Sequence, residues 1–111
     1  MKKIEKRIDF SEFDFDVLEL KDAEKYETEL AKVREKMALA EKNVIYSKLI
    51  IEECNAVYEF FNNVLGEGTS KKLFGNSVHL SHVITFRQFV EYATAQIADL
   101  AKTVTPKKTE K

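Results

Sequence analysis

The 111-residue chain has no tryptophan, one proline, one cysteine and three glycines. A single cysteine, Cys54, cannot close an internal disulfide. In "IIEECNAVYEF" it reads as a small buried hydrophobe rather than a nucleophile. The three glycines all fall in one stretch, "GEGTSKKLFG" (66–75), and the one proline, Pro106, lies near the end, where it stops the last helix. No apolar run is long enough to span a bilayer, and the opening "MKKIEKRIDF" is charged at every second or third position, unlike a leader peptide. A reducing cytoplasm is the expected setting. Charge of one sign is also missing: 18 Lys+Arg against 19 Asp+Glu gives −1. Phosphate binding needs a basic excess, so nucleic acid is not an expected partner.

What is present is hydrophobic and aromatic. At 44% hydrophobic residues, with eight Phe and four Tyr, one domain of this size can build a core from aromatics on helix faces. The charges are unevenly placed. Residues 8–24 hold Asp9, Glu12, Asp14, Asp16, Glu19, Asp22 and Glu24 against Lys21 alone, while residues 68–111 hold three acids and seven bases. Such blocks ordinarily solvate a face, and a docking role for the acidic one is the alternative.

Periodicity predicts an all-α fold: a three-helix bundle with a short connecting helix and an N-terminal extended strand or hairpin. Residues 1–104 form the single domain, with a strand-like segment at 4–20, and residues 105–111 a disordered basic tail. The strand reading rests on the alternation of Ile8, Phe10, Phe13, Phe15 and Val17 with charged residues. Asp22 or the preceding Lys-Asp step is expected to supply the cap, and from Asp22 the apolar period becomes four-three: Tyr26, Leu30, Val33, Met37, Ala40, Val44. That predicts a helix over about 22–42. A second helix is expected over 46–65, ended by Gly66 as a left-handed cap, and a one-turn helix near 70–74, capped by Thr69 or Ser70 and closed by Gly75. The last, over 79–103, carries only Arg87, Glu91 and Asp99 as charges between His79 and Ala101. So few charges imply that it is central in the bundle or covered by another chain, and Ala93, Ala95, Ala98 and Ala101 would admit a close neighbour.

No chemical motif survives scrutiny. "GEGTSKK" follows a helix rather than a strand, lacks the Gly-Lys-Ser/Thr order, and puts Glu67 where phosphate would sit; Lys71 replaces the third glycine of a dinucleotide loop. It is a corner. His79-x-x-His82 offers two imidazoles one turn apart, but zinc needs a third ligand and Cys54 is the only soft candidate. Glu52 and Glu53 are adjacent and point to different sides of a helix. No enzyme, catalytic residue, metal site or cofactor is therefore expected. Candidate partner-binding residues lie on the acidic aromatic segment and the last helix: Phe10, Phe13, Phe15, Phe89, Tyr92 and Ala95.

The order "FDFD", "DAEKYE", "ECNAVYEFFNNVLGEGTSKKLFG" and "FRQFVEYATAQI" resembles small proteins of siphophage and prophage tail modules in Gram-positive bacteria, the tail assembly chaperones. The resemblance covers about residues 8–101 and is most specific in the corner. It implies a helical, non-enzymatic protein in the cytoplasm of the bacterial host. Such a protein coats the tape measure protein, recruits the major tail protein as tail-tube subunits, and leaves before the virion is finished. Homo-oligomers are expected, with no nucleic-acid or membrane partner. Two alternatives stand beside it: a structural component of the tail, and a small helical regulatory or nucleic-acid-binding module, for which the final helix offers only Arg87 as a base.

Overall fold

The four-three spacing produces the helices it predicts. A computed structural model describes residues 8–104. In it α1 is Leu20–Ala40, α2 Tyr46–Leu65, α3 Thr69–Phe74 and α4 Ser81–Val104, preceded by a 3₁₀ turn at Phe10–Glu12. The fold is an all-α bundle of three long helices with one short connecting helix. The expected basic tail at 105–111 lies outside the described residues.

Helix α2 is the centre. It contributes the fully buried Cys54, Val57, Phe60 and Phe61, and its N-terminal turns project beyond the start of α4. Helix α1 lies antiparallel along one flank: Glu29 meets Asn63 near one end, Lys36 pairs with Glu59, and Asn43 reaches Glu52 near the other. Helix α4 takes the other flank. Its contacts run Cys54 with His79, Tyr58 with His82 and Phe60 with Phe86, so it rises in the same direction as α2, starting halfway along it. This corrects one of the two expectations for the charge-poor helix. The central place goes to α2, whose buried face is broad enough for two neighbours. Among its described side chains helix α4 buries only Val83, Phe86, Phe89 and Ala93.

Phe89 joins the pieces. Its ring lies 5.1 Å from Phe10, 5.2 Å from Phe15, 5.7 Å from Phe60 and 5.6 Å from Phe61 (centroid to centroid). Such edge and tilted pairs each add about 0.5–1.5 kcal/mol to the burial of the rings themselves.

The N-terminal strand or hairpin is not formed: no strand occurs among the described residues, and residues 4–7 of that expectation lie outside them. Local side-chain bonds hold the backbone in turns instead. The Asp9 carboxylate accepts the Ser11 N–H at 3.1 Å, and Asp16 accepts the Leu18 N–H at 3.0 Å. Asp and Ser compete with a ladder in this way wherever their side chains reach a nearby N–H. The result is an irregular strap whose Phe10, Phe15 and Val17 are buried. Asp22 does not cap α1; from inside its first turn it accepts the Asp16 N–H at 2.8 Å, and Glu19 holds the cap position without a side-chain bond.

The corner is built as backbone geometry. Gly66 ends α2 at φ 118°, ψ 150°, a region open to glycine rather than the left-handed helical one expected there. Gly68, at φ 88°, ψ −4°, is the left-handed residue, and it stands at the head of α3 in place of a Thr or Ser cap. Thr69 is buried and donates its hydroxyl to the Gly66 carbonyl at 2.6 Å, while Asn62 accepts the Ser70 N–H at 2.8 Å. Gly75 closes α3 at φ 73°, as expected.

Candidate functional site

Three places hold enough chemistry to be considered: the α2–α3–α4 corner, the cleft between α2 and α4, and the apolar side chains left outside the core.

At the corner α2 presents Cys54 and Tyr58 one turn apart, and the head of α4 brings His79 and His82 against them. Cys54 donates its thiol to the His79 carbonyl at 3.3 Å, and burial pushes the thiol up, with Glu53 adding to the rise. A thiol so held is not a thiolate and not a nucleophile. Tyr58 Oη lies 2.7 Å from His82 Nδ1 and 3.5 Å from the Ser77 carbonyl. Burial, then Cys54, push the phenol up to about 12, so it stays neutral. The shorter contact ties Tyr58 of α2 to the head of α4. Burial and then His79 hold His82 below the ordinary histidine range, and its ring stacks on Phe74 at 4.2 Å. His79, exposed, accepts the Ser81 N–H at 3.0 Å and so caps the start of α4. The polar contacts named here cap α4 and fix its head on α2. Among the described residues no group of three or more His, Cys, Asp or Glu could hold a metal ion.

The apolar spacing of α1 places Glu29 among the charges outside the stripe. The structure buries it, with the Asn63 amide donating at 3.1 Å and Lys32 at 3.2 Å. A lone carboxylate with those partners ties α1 to α2. The α2–α4 cleft, of about 420 Å³, is lined by Glu53, His79, Leu80, Val83, Ile84 and Arg87. Burial raises Glu53, Glu41 raises it further and Arg87 opposes both.

The predicted partner-binding residues divide. Phe10, Phe15 and Phe89 are buried in the aromatic core and belong to the fold, because the strap folds its alternating Phe inward. Phe13 and Tyr92 are half-buried against that core, and Ala95 is exposed. Instead the exposed large apolar residues gather at the ends of the bundle. At the tip of the α1–α2 hairpin stand Leu39, Val44, Ile45, Tyr46 and Ile51, with Val44 96% exposed. At the opposite end stand Leu18, Leu20, Ile97 and Leu100. Leu18, Gln96, Asp99 and Leu100 enclose a cleft of about 320 Å³ there. Sequence reading missed the tip because Val44 continues the four-three stripe of α1, but α1 stops at Ala40, before reaching it.

The chain matches one family from Phe10 to its last residue, 10–111. It belongs to DUF6673, a family of unknown function. The match opens on the first residue of the 3₁₀ turn and takes in the strap and all four helices of the DUF6673 chain. No curated protein and no solved structure matches it. None of its described helices is long and apolar enough to cross a membrane.

Proposed function

We propose that this DUF6673 protein is a tail assembly chaperone of a siphophage or prophage. It would act in the bacterial cytoplasm, binding helical segments of the tape measure protein and recruiting major tail protein subunits. The observation that carries the reading is the placement of apolar surface. Among the described residues eleven large hydrophobic side chains are exposed, nine of them at the two ends of the bundle, and the polar groups of the corner are spent on structure. A chaperone for a long, partly apolar helical protein needs apolar helix faces on offer, because amphipathic helices bind by laying their apolar stripe in such a place. The sequence resemblance supports the same reading. Self-association belongs to it as well, and the hairpin tip is the surface for it. Its five side chains offer roughly 600 Å² per copy, near the lower limit of a stable pair when doubled.

The test is co-expression with the tape measure protein of the same tail module, scored by the soluble fraction. The reading requires a clear gain in solubility and a complex that survives purification. A tape measure protein equally insoluble with and without this chain contradicts it. The alternative, a structural tail component, requires the protein in purified virions; a chaperone is absent from them.

A further inference from the structure

The buried stripe of α4 does not stop where the bundle stops. His82, Phe86, Phe89 and Ala93 face α2 and the strap, and at 100° per residue the same stripe continues through Gln96, Ile97 and Leu100. Helix α2 has already ended at Leu65, and α1 begins only at Leu20. From Ala93 to Val104 the helix backbone runs on for about 16 Å, and past the buried Ala93 and half-buried Gln96 its core-type face, as far as Ala101, has little to cover it. Ile97 is 48% and Leu100 43% exposed. Leu18 and Leu20, from the strap and the head of α1, extend the same surface and are 46% and 70% exposed.

Charge decides the occupant. Asp14, Asp16 and Glu19 are exposed on the strap that supplies Leu18, and between residues 8 and 24 Lys21 is the one base against seven acids. Two copies meeting strap to strap through this end would set acid against acid, which opposes that symmetric pair. We infer that the overrunning stripe of α4, with Leu18 and Leu20, is the docking groove for an amphipathic helix of another protein whose flanks are basic. The incoming apolar stripe continues the bundle core over Ile97 and Leu100, and its Lys and Arg side chains meet the acidic strap. This rests on the reading above that the chain binds helices of a partner, and it adds where and of what chemistry.

The experiment titrates the full chain with three labelled 20-residue peptides by fluorescence anisotropy. One has a four-three leucine stripe with Lys on the other faces, the second the same stripe with Glu, and the third the Lys composition with the stripe scrambled. The Lys amphipathic peptide should bind at least tenfold more tightly than either other peptide and weaken as salt is added. The Ile97→Gln/Leu100→Gln variant should lose tenfold or more, and Asp14→Asn/Glu19→Gln at least threefold, both with unchanged circular dichroism. Equal binding of the Lys and Glu peptides, equal binding of the scrambled peptide, or full affinity in Ile97→Gln/Leu100→Gln overturns the proposal. So does sedimentation showing a dimer that Leu100→Gln dissolves, since a second copy would then be the occupant. If the peptides fail but co-expression still solubilises the tape measure protein, the groove is wrong and the chaperone reading stands. If the Lys peptide binds and co-expression fails, the converse holds.

Discussion

The two ends of the bundle expose similar apolar side chains in different electrostatic settings. Around the hairpin tip Glu41 and Glu52 balance Lys42 and Lys48, whereas the strap beside Leu18 and Leu20 is acidic almost throughout. Apolar exposure says only that something should cover a surface; the charge around it selects what. A balanced rim tolerates a second copy of itself, because acids can face bases across a two-fold axis. An acidic rim rejects its own image and accepts a basic partner. The ends also differ in continuity. The far end prolongs the core stripe of α4, while the tip is an uncapped helix start, with Ile45 at the cap position and no side-chain bond.

The largest effect is expected between the ends. Phe89→Ala removes the ring on which strap, α1 and α2 converge and should cost about 3–5 kcal/mol in denaturant unfolding. Leu100→Gln, on the same helix, should stay within about 0.5 kcal/mol. If the two cost the same, the far end is part of the core and the contrast collapses.

Gly66 fixes where α2 stops and hence how far α4 outruns it. At φ 118° any side chain is strained even though the nearest atom to an added Cβ is 3.9 Å away. Gly66→Ala should therefore destabilise by about 1–3 kcal/mol through backbone conformation alone. An unchanged urea midpoint would show that the corner relaxes freely.

The corner should also titrate. The folded chain favours neutral His82, so its contribution is fully present above the unfolded histidine value and is lost as pH falls through it towards the lower folded one. The urea midpoint should fall from about pH 7.5 to about pH 5.5, and His82→Gln should flatten that slope. Glu53 acts in the opposite sense and at lower pH: with its folded value raised, its uncharged form is favoured and its contribution grows on acidification. A midpoint that rises over the histidine window contradicts the assignment.

The smallest effect on stability belongs to the tip. Val44→Asn/Ile45→Asn should change unfolding by no more than about 0.5 kcal/mol while shifting sedimentation towards the monomer. Ile97→Gln/Leu100→Gln should leave sedimentation unchanged. The reverse pattern exchanges the roles of the ends.

Helix existence was legible because each long helix repeats its apolar residues at four-three spacing, and α2 and α4 fall within two residues of expectation. The strap was not legible. Its Phe residues alternate as a strand's would, but Asp9 and Asp16 take up backbone N–H groups that a ladder would use. Nor could the pattern rank the helices by depth: few charges on α4 signalled an apolar face at both places where it lies, inside the bundle and beyond it. Of the candidate partner residues, Phe10, Phe15 and Phe89 are spent on the core and Phe13 and Tyr92 are half-buried against it, so the exposed apolar surface comes from residues outside that set.

The pairing of Phe10 and Phe15 with Phe89 also has a consequence for synthesis. The strap is synthesised before α1, α2 and α3, yet its principal ring partner lies beyond all three. At ordinary elongation rates those phenylalanines wait on the order of ten seconds for Phe89 to exist. During that interval the strap is an unshielded aromatic segment, and Asp9, Glu12, Asp14 and Asp16, interleaved with the rings, keep one nascent chain from sticking to the next.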